Sequence, residues 1–530
     1  MRPATACNGE LTRASSNEPP YDQEQLLELE WLRDVRADAK LIRALGEIAC
    51  RAQQDHRHIA QAACTHGLED LIRATAGETQ VEHDEVGSRV KLTLEIVVVA
   101  DGDRCVTFVL QDLREQRRDI AVVFHDEHAR TMALPVAHWH TLRRILKRVP
   151  TRKRKPGFDT LAIHAGQEPE GLTGAVTVPI FQTSTFAQVA VGKNKGYEYA
   201  RTGNPTRTAL ETCLAALEDG RWALAFGSGM AATDAIAHLL KAGDHVVMGD
   251  DVYGGTYRLF VRVFEQLGIA TTAVDMRSLG GVRKALRRNT RLVWIESPTN
   301  PMLKVLDIRA LAEIAHKGKA LAAVDNTFAS PYLQNPLAHG ADLVLHSTTK
   351  YIGGHSDVVG GAIIGNDPEL RQRLAFLQNA VGGVPGPLDA WLVLRGAKTL
   401  GVRMERHSAN GQAVAEWLSE HPKVESVNYP GLRTHPQHDV ARRQMRAFGG
   451  MLSFELKAGE AAATRMAART KIFALAESLG GVESLIEVPL AMTHGSVRGT
   501  KLAPPAGLVR LSVGIETVHD LIEDLAEAIG

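Results

Sequence analysis

The chain is poor in the features that mark specialised protein classes. Of its 530 residues only 5 are cysteine, and 5% are aromatic. An odd, irregularly spaced cysteine set builds no disulfide framework and fits free thiols in a reducing compartment. Charge of one sign is missing too: 61 Lys and Arg balance 61 Asp and Glu, so no overall field draws the chain to nucleic acid or to an anionic membrane. Purely aliphatic runs such as Ile96–Ala100 stop at five residues, whereas a bilayer span needs roughly 20. The opening residues, MRPATACNGELTRASSNEPP, hold no apolar signal-peptide core, which predicts a cytoplasmic protein. What is present is an ordinary globular composition, 44% apolar and 23% charged, and this excludes disorder throughout. At roughly 150 residues per domain, the length predicts three or four folded units, although one large α/β unit can absorb more than one share.

Patterning divides the chain. Residues 1–21 are polar and predict a disordered tail. From Asp22 to Ala76 apolar residues step by four, as at Leu27, Trp31 and Val35, which predicts helix. Strands are predicted at Val90–Ala100, Cys105–Leu110 and Ile120–Phe124, with Asp101-Gly102-Asp103 as a hairpin turn. A short amphipathic helix is predicted over His138–Val149. Residues 22–150 thus read as a small α+β domain. Eight Lys or Arg and no acid lie between Arg143 and Lys155. Such a patch either touches an anionic partner or is a solvated linker; Pro156-Gly157 closes it, and residues 151–157 are read as a basic linker. Nucleic acid is therefore not an expected partner. His125, His128, His138 and His140 follow no ligand spacing and have no cysteine to complete a site, so no metal is expected.

Beyond Phe158 short apolar runs alternate with longer helical patterns. Ala223–Phe226, His245–Met248, Leu292–Ile295, Leu321–Val324 and Leu343–Leu345 read as buried parallel strands covered by helices on both faces. From Pro387 the pattern changes to long helices and the strands Gly450–Leu456 and Leu508–Val513, which predicts a smaller α+β domain over 387–530. Ligands gather beyond the carboxyl ends of strands in open α/β sheets, and three of these ends carry polar clusters. Gly227-Ser228-Gly229-Met230 leads into a good helix sequence, where backbone N–H groups and the dipole can cradle a phosphate; the same string also makes an ordinary tight turn. Asp325 is either a turn former or a buried carboxylate that needs a cationic partner. Lys350, crowded by Ser347, Thr348 and Thr349, is placed to lose solvation and become nucleophilic. Together a phosphate cradle, a carboxylate and a nucleophilic lysine suit pyridoxal 5'-phosphate (PLP), whose ring serves as an electron sink.

From about Phe158 to Ile529 the chain resembles the Cys/Met-metabolism PLP enzymes, the transsulfuration family that contains cystathionine γ-lyase, γ-synthase and β-lyase. The matching strings are Tyr197–Thr206 (YEYARTGNPT), Gly227–Met230 (GSGM), Asp251–Thr256 (DVYGGT), Glu296–Pro301 (ESPTNP), Val324–Phe328 (VDNTF), His346–Tyr351 (HSTTKY), Gly354–Asp357 (GHSD), Ala476–Ser484 (AESLGGVES) and Arg510–Gly514 (RLSVG). The first 150 residues carry none. The resemblance implies an α/β fold of the aspartate aminotransferase type (fold type I). Its mostly parallel seven-stranded sheet would lie in an arm-plus-cofactor domain over 158–386, followed by the smaller domain. By the same resemblance Lys350 is the Schiff-base lysine and proton shuttle, and Asp325 is the partner of the pyridine nitrogen. Thr327 lies beside the ring, and Tyr253 stacks on it with a part in proton transfer. The phosphate is expected on the Gly229 and Met230 amides and the Ser347 and Thr349 hydroxyls, with Tyr199 and Arg201 reaching it from a neighbouring subunit. That implies a homo-oligomer built from dimers, in this family usually a tetramer. Arg510 is expected to grip the substrate α-carboxylate, with Asn300 and Ser478 lining the same pocket.

Glu198, Arg258 and Glu477 fall where γ-acting members hold the distal amino acid moiety of cystathionine. The leading expectation is thus a cystathionine γ-lyase, which releases cysteine, 2-oxobutanoate and ammonia from L-cystathionine. The alternative is a γ-synthase that joins O-succinyl- or O-acetylhomoserine to cysteine. The segment from His494 to Gly507 is shorter than its family counterpart and borders the substrate entrance. For the first 150 residues the alternative expectation is a regulatory or interaction module.

Overall fold

The computed structural model describes residues 156–530, at Ser496 the backbone alone, and, before them, only the backbone of six strands. The chain divides into two compact units, Met1–Arg154 and Lys155–Gly530. In the first, the valine- and isoleucine-rich run VKLTLEIVVVA forms β3 (Val90–Ala100), as β-branched residues favour the pleated surface. It joins β1 (Ala74–Ala76), β2 (Val81–His83), β4 (Arg104–Gln111), β5 (Asp119–His125) and β6 (Arg130–Leu134) in one antiparallel sheet. Ala100 stands opposite Arg104; the predicted turn Asp101–Asp103 lies outside the described residues. One expectation is corrected: Ala74–Ala76 is strand, not the end of a helix, because pairing with Ile96–Val98 outweighs the local period. The rest of the predicted 22–76 helix, the His138–Val149 helix and the side chains of the four histidines lie outside the described residues.

The second unit is built on a seven-stranded sheet. Its strands are β7 (Trp222–Phe226), β8 (His245–Gly249), β9 (Ala270–Val274), β10 (Thr290–Glu296), β11 (Leu321–Asp325), β12 (Leu343–Ser347) and β13 (Gly361–Gly365), in the order β7-β13-β12-β11-β10-β8-β9. From β12 to β9 all neighbours are parallel. All five predicted runs are strands, with two corrections. β13 and β9 join the sheet unpredicted, and β13 runs antiparallel to both β12 and β7, so β7 has no parallel neighbour. The apolar runs are continuous because both faces are covered: Val247, Val293, Ile295, Val324 and Val344 point into one core, and Met248, Leu292, Trp294, Leu345 and Phe226 into the other. A second sheet, β14 (Val424–Asn428), β15 (Met451–Leu456), β16 (Ala474–Leu475), β17 (Leu485–Glu487) and β18 (Leu508–Ser512), follows in the order β14-β15-β18-β17-β16. Its core is closed by the long helices Leu400–Glu420 and Val518–Ile529. Among the described residues no helix is long and apolar enough to cross a membrane.

One buried carboxylate fixes two of the strand ends. Glu218, at the end of helix α1 (Pro205–Leu217), is 1% exposed. Its Oε1 accepts from His346 Nε2 at 2.6 Å and from Asn326 Nδ2 at 2.7 Å, and its Oε2 from Asn335 Nδ2 at 3.3 Å. His346 lies in β12, and Asn326 directly follows β11. Removing one partner from such a buried set leaves the others unpaired, at about 3–5 kcal/mol. Glu218→Ala is therefore expected to lower unfolding stability by about that amount in urea denaturation; a loss no greater than that of an exposed Glu→Ala control would refute the assignment.

Candidate active site

The carboxyl ends of five strands, β7, β8, β10, β11 and β12, carry the polar residues at one edge of the large sheet. After β7, Ser228 caps helix α2 (Gly229–Ala237) by accepting from Ala231 N–H at 3.0 Å. Gly229 lies flush against β12: a Cβ there would meet Ser347 Cβ at 2.9 Å. Gly361 of β13 is equally confined, since its Cβ would stand 2.2 Å from the Ser228 carbonyl. The turn is thus pressed against the strands with its first N–H groups facing out, the arrangement that binds anions. The Thr349 hydroxyl holds the same corner, donating to Gly360 O and accepting from Gly360 N–H. Beyond β8, Tyr253 precedes the short helix α3 (Gly254–Arg258) and is 37% exposed. A Cβ on Gly255 would meet the Tyr253 ring at 2.4 Å and Met230 Sδ at 2.9 Å, which brings the aromatic face beside the cradle.

On the central strands two acids stand side by side. β10 and β11 pair in register, with Glu296 opposite Asp325. Burial raises both carboxyls above their ordinary range, and the Asp325 charge raises Glu296 further. Asp325 accepts from Thr327 N–H at 3.0 Å, while Thr327 Oγ1 accepts from Ser347 N–H at 2.9 Å. Glu296 accepts from Tyr253 N–H and from Asn300 N–H, each at 2.9 Å.

Lys350 lies past the end of β12, its Nζ donating to Ser478 Oγ at 2.8 Å. Burial, and then the nearby Arg510 charge, push its amine down to about 8, so a neutral, nucleophilic form is accessible near neutrality. Ser478 holds a left-handed φ of 99°, uncommon for a residue with a side chain. Two residues on, Gly480 has φ 74°, and a Cβ there would lie 2.6 Å from Tyr351 N. Ser478 O in turn accepts from Arg510 Nη2 at 2.8 Å, and Asn300 Oδ1 accepts from Arg510 Nη1 at 2.9 Å. Arg510 is 3% exposed and has Glu487 as its cross-strand neighbour on β17.

The structure therefore brings together Lys350, Ser478, Arg510 and Asn300 in one hydrogen-bonded group, and Asp325, Thr327 and Ser347 in another, with Gly229 flush against Ser347. Glu477 is exposed, but its charge reaches Lys350 and Arg510; Arg258 is also exposed, and its charge reaches His494. Among the described residues no hydrogen bond or ion pair links Glu198, Tyr199 or Arg201 to these groups. Arg201 instead lies over the Tyr199 ring, 5.6 Å from its centroid, and all three residues are exposed. Sequence reading assigns no role to Glu296, Glu487, Thr493 or His494. The signal available for Glu296 is its place as the last residue of a fourth strand run; for the other three none stands out.

Comparison with known proteins places this geometry. Residues 159–530 match the family described as Cys/Met metabolism PLP-dependent enzyme. A cystathionine gamma-synthase of Mycobacterium bovis is 59% identical over 376 residues, covering 71% of this chain and 97% of its own. A cystathionine beta-lyase of Coxiella burnetii is 51% identical over 381 residues, 71% of this chain and 98% of its own. The crystal structure of cystathionine gamma-lyase from Lactobacillus plantarum complexed with L-serine superposes with a TM-score of 0.68 at 44% identity, covering 70% of this chain and 98% of that one. The residues present fit PLP. Asp325 is a buried carboxylate beside a second one and makes no ion pair among the described residues; a protonated ring nitrogen would supply one. The turn at Gly229 has the form that would hold a phosphate, and Lys350, past the end of β12, would supply the amine. On sequence, on fold and on this fit, the chain belongs to the Cys/Met metabolism PLP-dependent enzymes.

Proposed function

We propose that this transsulfuration enzyme is a cystathionine γ-synthase, a cytoplasmic homo-oligomer that joins an activated homoserine ester to L-cysteine. The observation that carries the reading is the buried Arg510–Asn300–Ser478 group beside Lys350, in a chain 59% identical to a γ-synthase across nearly all of that relative. When bound, PLP supplies an acceptor for the electrons of the substrate Cα–H bond. Arg510 and Asn300 take the substrate α-carboxylate and fix the Cα–H bond toward Lys350. The Lys350 amine, steered by the Ser478 hydroxyl, takes the α-proton and returns protons farther along the chain. The half-exposed Tyr253 phenol would stack on the ring and take part in proton transfer. Asp325 keeps its charge for the ring nitrogen, and the cradle from Gly229 and Met230 to Ser347 holds the phosphate. Arg258 and Glu477, both exposed, meet the variable distal part of the substrate, as does Glu198 if it is supplied by a neighbouring subunit.

A second reading, the γ-lyase first expected, is supported by the same distal charges and by the γ-lyase of similar fold. Rates with O-succinyl- or O-acetyl-L-homoserine plus L-cysteine, set against L-cystathionine alone, separate the two. The expected outcome is that γ-replacement exceeds cystathionine cleavage by about tenfold or more, about 1.4 kcal/mol in transition-state binding; faster cleavage makes the enzyme a γ-lyase.

Support for a shared site comes from the arm. Leu172 is 90% exposed, Val176 77%, Val189 69% and Val191 102%, apolar exposure that a second copy would cover. Tyr199 and Arg201, on the same stretch, then reach the partner's phosphate. Lys350→Ala and Arg201→Ala are each expected to lose most activity, and Lys350→Ala to lose the visible cofactor band as well. Denatured and refolded together they should recover about a quarter of wild-type activity, since half of random dimers hold one intact site. No recovery on mixing would refute the shared site. The reading attaches to residues 159–530, so a chain trimmed to 158–530 is expected to keep kcat/KM within about threefold; loss of turnover would assign the first unit a catalytic part.

A further inference from the structure

Behind Arg510, three hydrogen bonds need more protons than the usual charge states supply. Thr493 Oγ1 lies 2.8 Å from Glu487 Oε1 and 2.9 Å from His494 Nδ1, and His494 Nε2 lies 3.2 Å from Asn300 O. A carbonyl only accepts, so Nε2 carries a hydrogen. In a neutral imidazole Nδ1 is then bare and takes the Thr493 hydroxyl hydrogen. Nothing is left for the contact between Thr493 and Glu487 unless Glu487 is protonated and donates to the hydroxyl oxygen. The other solution, an imidazolium beside a carboxylate, moves the same extra proton to His494. Either way the row Glu487–Thr493–His494 holds one proton beyond an ionised glutamate and a neutral histidine.

The surroundings choose between the two. Glu487 is 1% and His494 2% exposed. Around Glu487 stand the charges of Arg510, Lys350 and Glu477, and around His494 those of Arg510 and Arg258, with the carbonyls of Asn300 and Val252. An imidazolium would face two guanidinium groups, and burial pushes the His494 ring down to about 4. Burial acts on Glu487 in the opposite direction and raises its carboxyl. Glu487 Oε2 stands 2.9 Å from Arg510 Nη2, an ion-pair distance, but among the described residues neither Oε2 nor Arg510 Nε makes an aligned hydrogen bond, so the contact leaves room for a neutral carboxyl.

We propose that Glu487 is a positioning residue kept protonated through Thr493 and His494, so that Arg510 retains its charge for the α-carboxylate of the substrate. This rests on the reading of Arg510 as the carboxylate site. The sign follows. As pH rises and the shared proton is lost, Glu487 becomes an anion beside Arg510 and competes with the incoming carboxylate, so carboxylate ligands bind more weakly.

Glycine and glycinamide are suitable probes, one with and one without the carboxylate, their binding to cofactor-loaded enzyme followed by the visible cofactor band. Glu487→Gln keeps the neutral shape at every pH. The ratio of the wild-type glycine Kd to that of the variant is expected to climb about tenfold as the pH is raised through the titration of Glu487, above the ordinary carboxylate range, while the glycinamide ratio stays flat. Taking ratios cancels the titration of the probe's own amine. Thr493→Val should bring the weakening of glycine binding to lower pH, and Thr493→Ser should leave it in place. A flat glycine ratio, or an equal climb with glycinamide, overturns the proposal. Arg510→Ala tells that failure from failure of the carboxylate reading. If Arg510→Ala binds glycine as wild type does, the carboxylate reading itself falls; if it weakens glycine more than about tenfold while the ratio stays flat, only the shared proton falls.

Discussion

A carboxylate remote from substrate sets the geometry on which the site depends. Glu218 holds His346 on one strand and Asn326 beyond the next, and each of these is a short step from a residue that the proposed function uses, Lys350 and Asp325. The spacing between the Lys350 amine and the Asp325 carboxylate is thereby tied to the sheet. Thr327 repeats the tie one layer out by accepting from Ser347 N–H. Positioning of this kind, built on strands, holds reacting groups more closely than loops can.

The site is divided by burial. Asp325, Glu296, Asn300 and Arg510 are buried, and on the proposed reading they take the parts that every amino acid substrate shares. Arg258 and Glu477 are exposed, and on that reading they meet the part that differs. This division accounts for relatives named as γ-synthase, β-lyase and γ-lyase on one framework: interactions common to all the reactions sit where water is excluded, and those that discriminate sit where a substitution costs little stability.

What the sequence made legible follows the same line. Lys350, Asp325 and the Gly229 turn stand at the ends of apolar runs, so their places could be read from a one-dimensional pattern, and the family strings supplied Arg510, Asn300 and Ser478. Glu296 ends a strand run as well, but its partners Tyr253 and Asn300 could not be read from that pattern, and Glu487, Thr493 and His494 could not be found this way at all, because their meaning lies in partners distant along the chain, as Glu487 beside Arg510. Strand direction was hidden for a similar reason. Gly361-Ala-Ile-Ile-Gly365 is a short apolar run between glycines, and nothing in its period says that it runs against its neighbours. At Ala74–Ala76 the local pattern pointed to helix and cross-strand pairing won.

The left-handed backbone of Ser478 sets two selections against each other. A glycine would adopt that φ with less strain but would carry no hydroxyl to meet the Lys350 amine. Directed evolution that screens random codons there for soluble yield would drift toward glycine, whereas a screen for product would hold serine, so the codon recovered reports which pressure the experimenter applied.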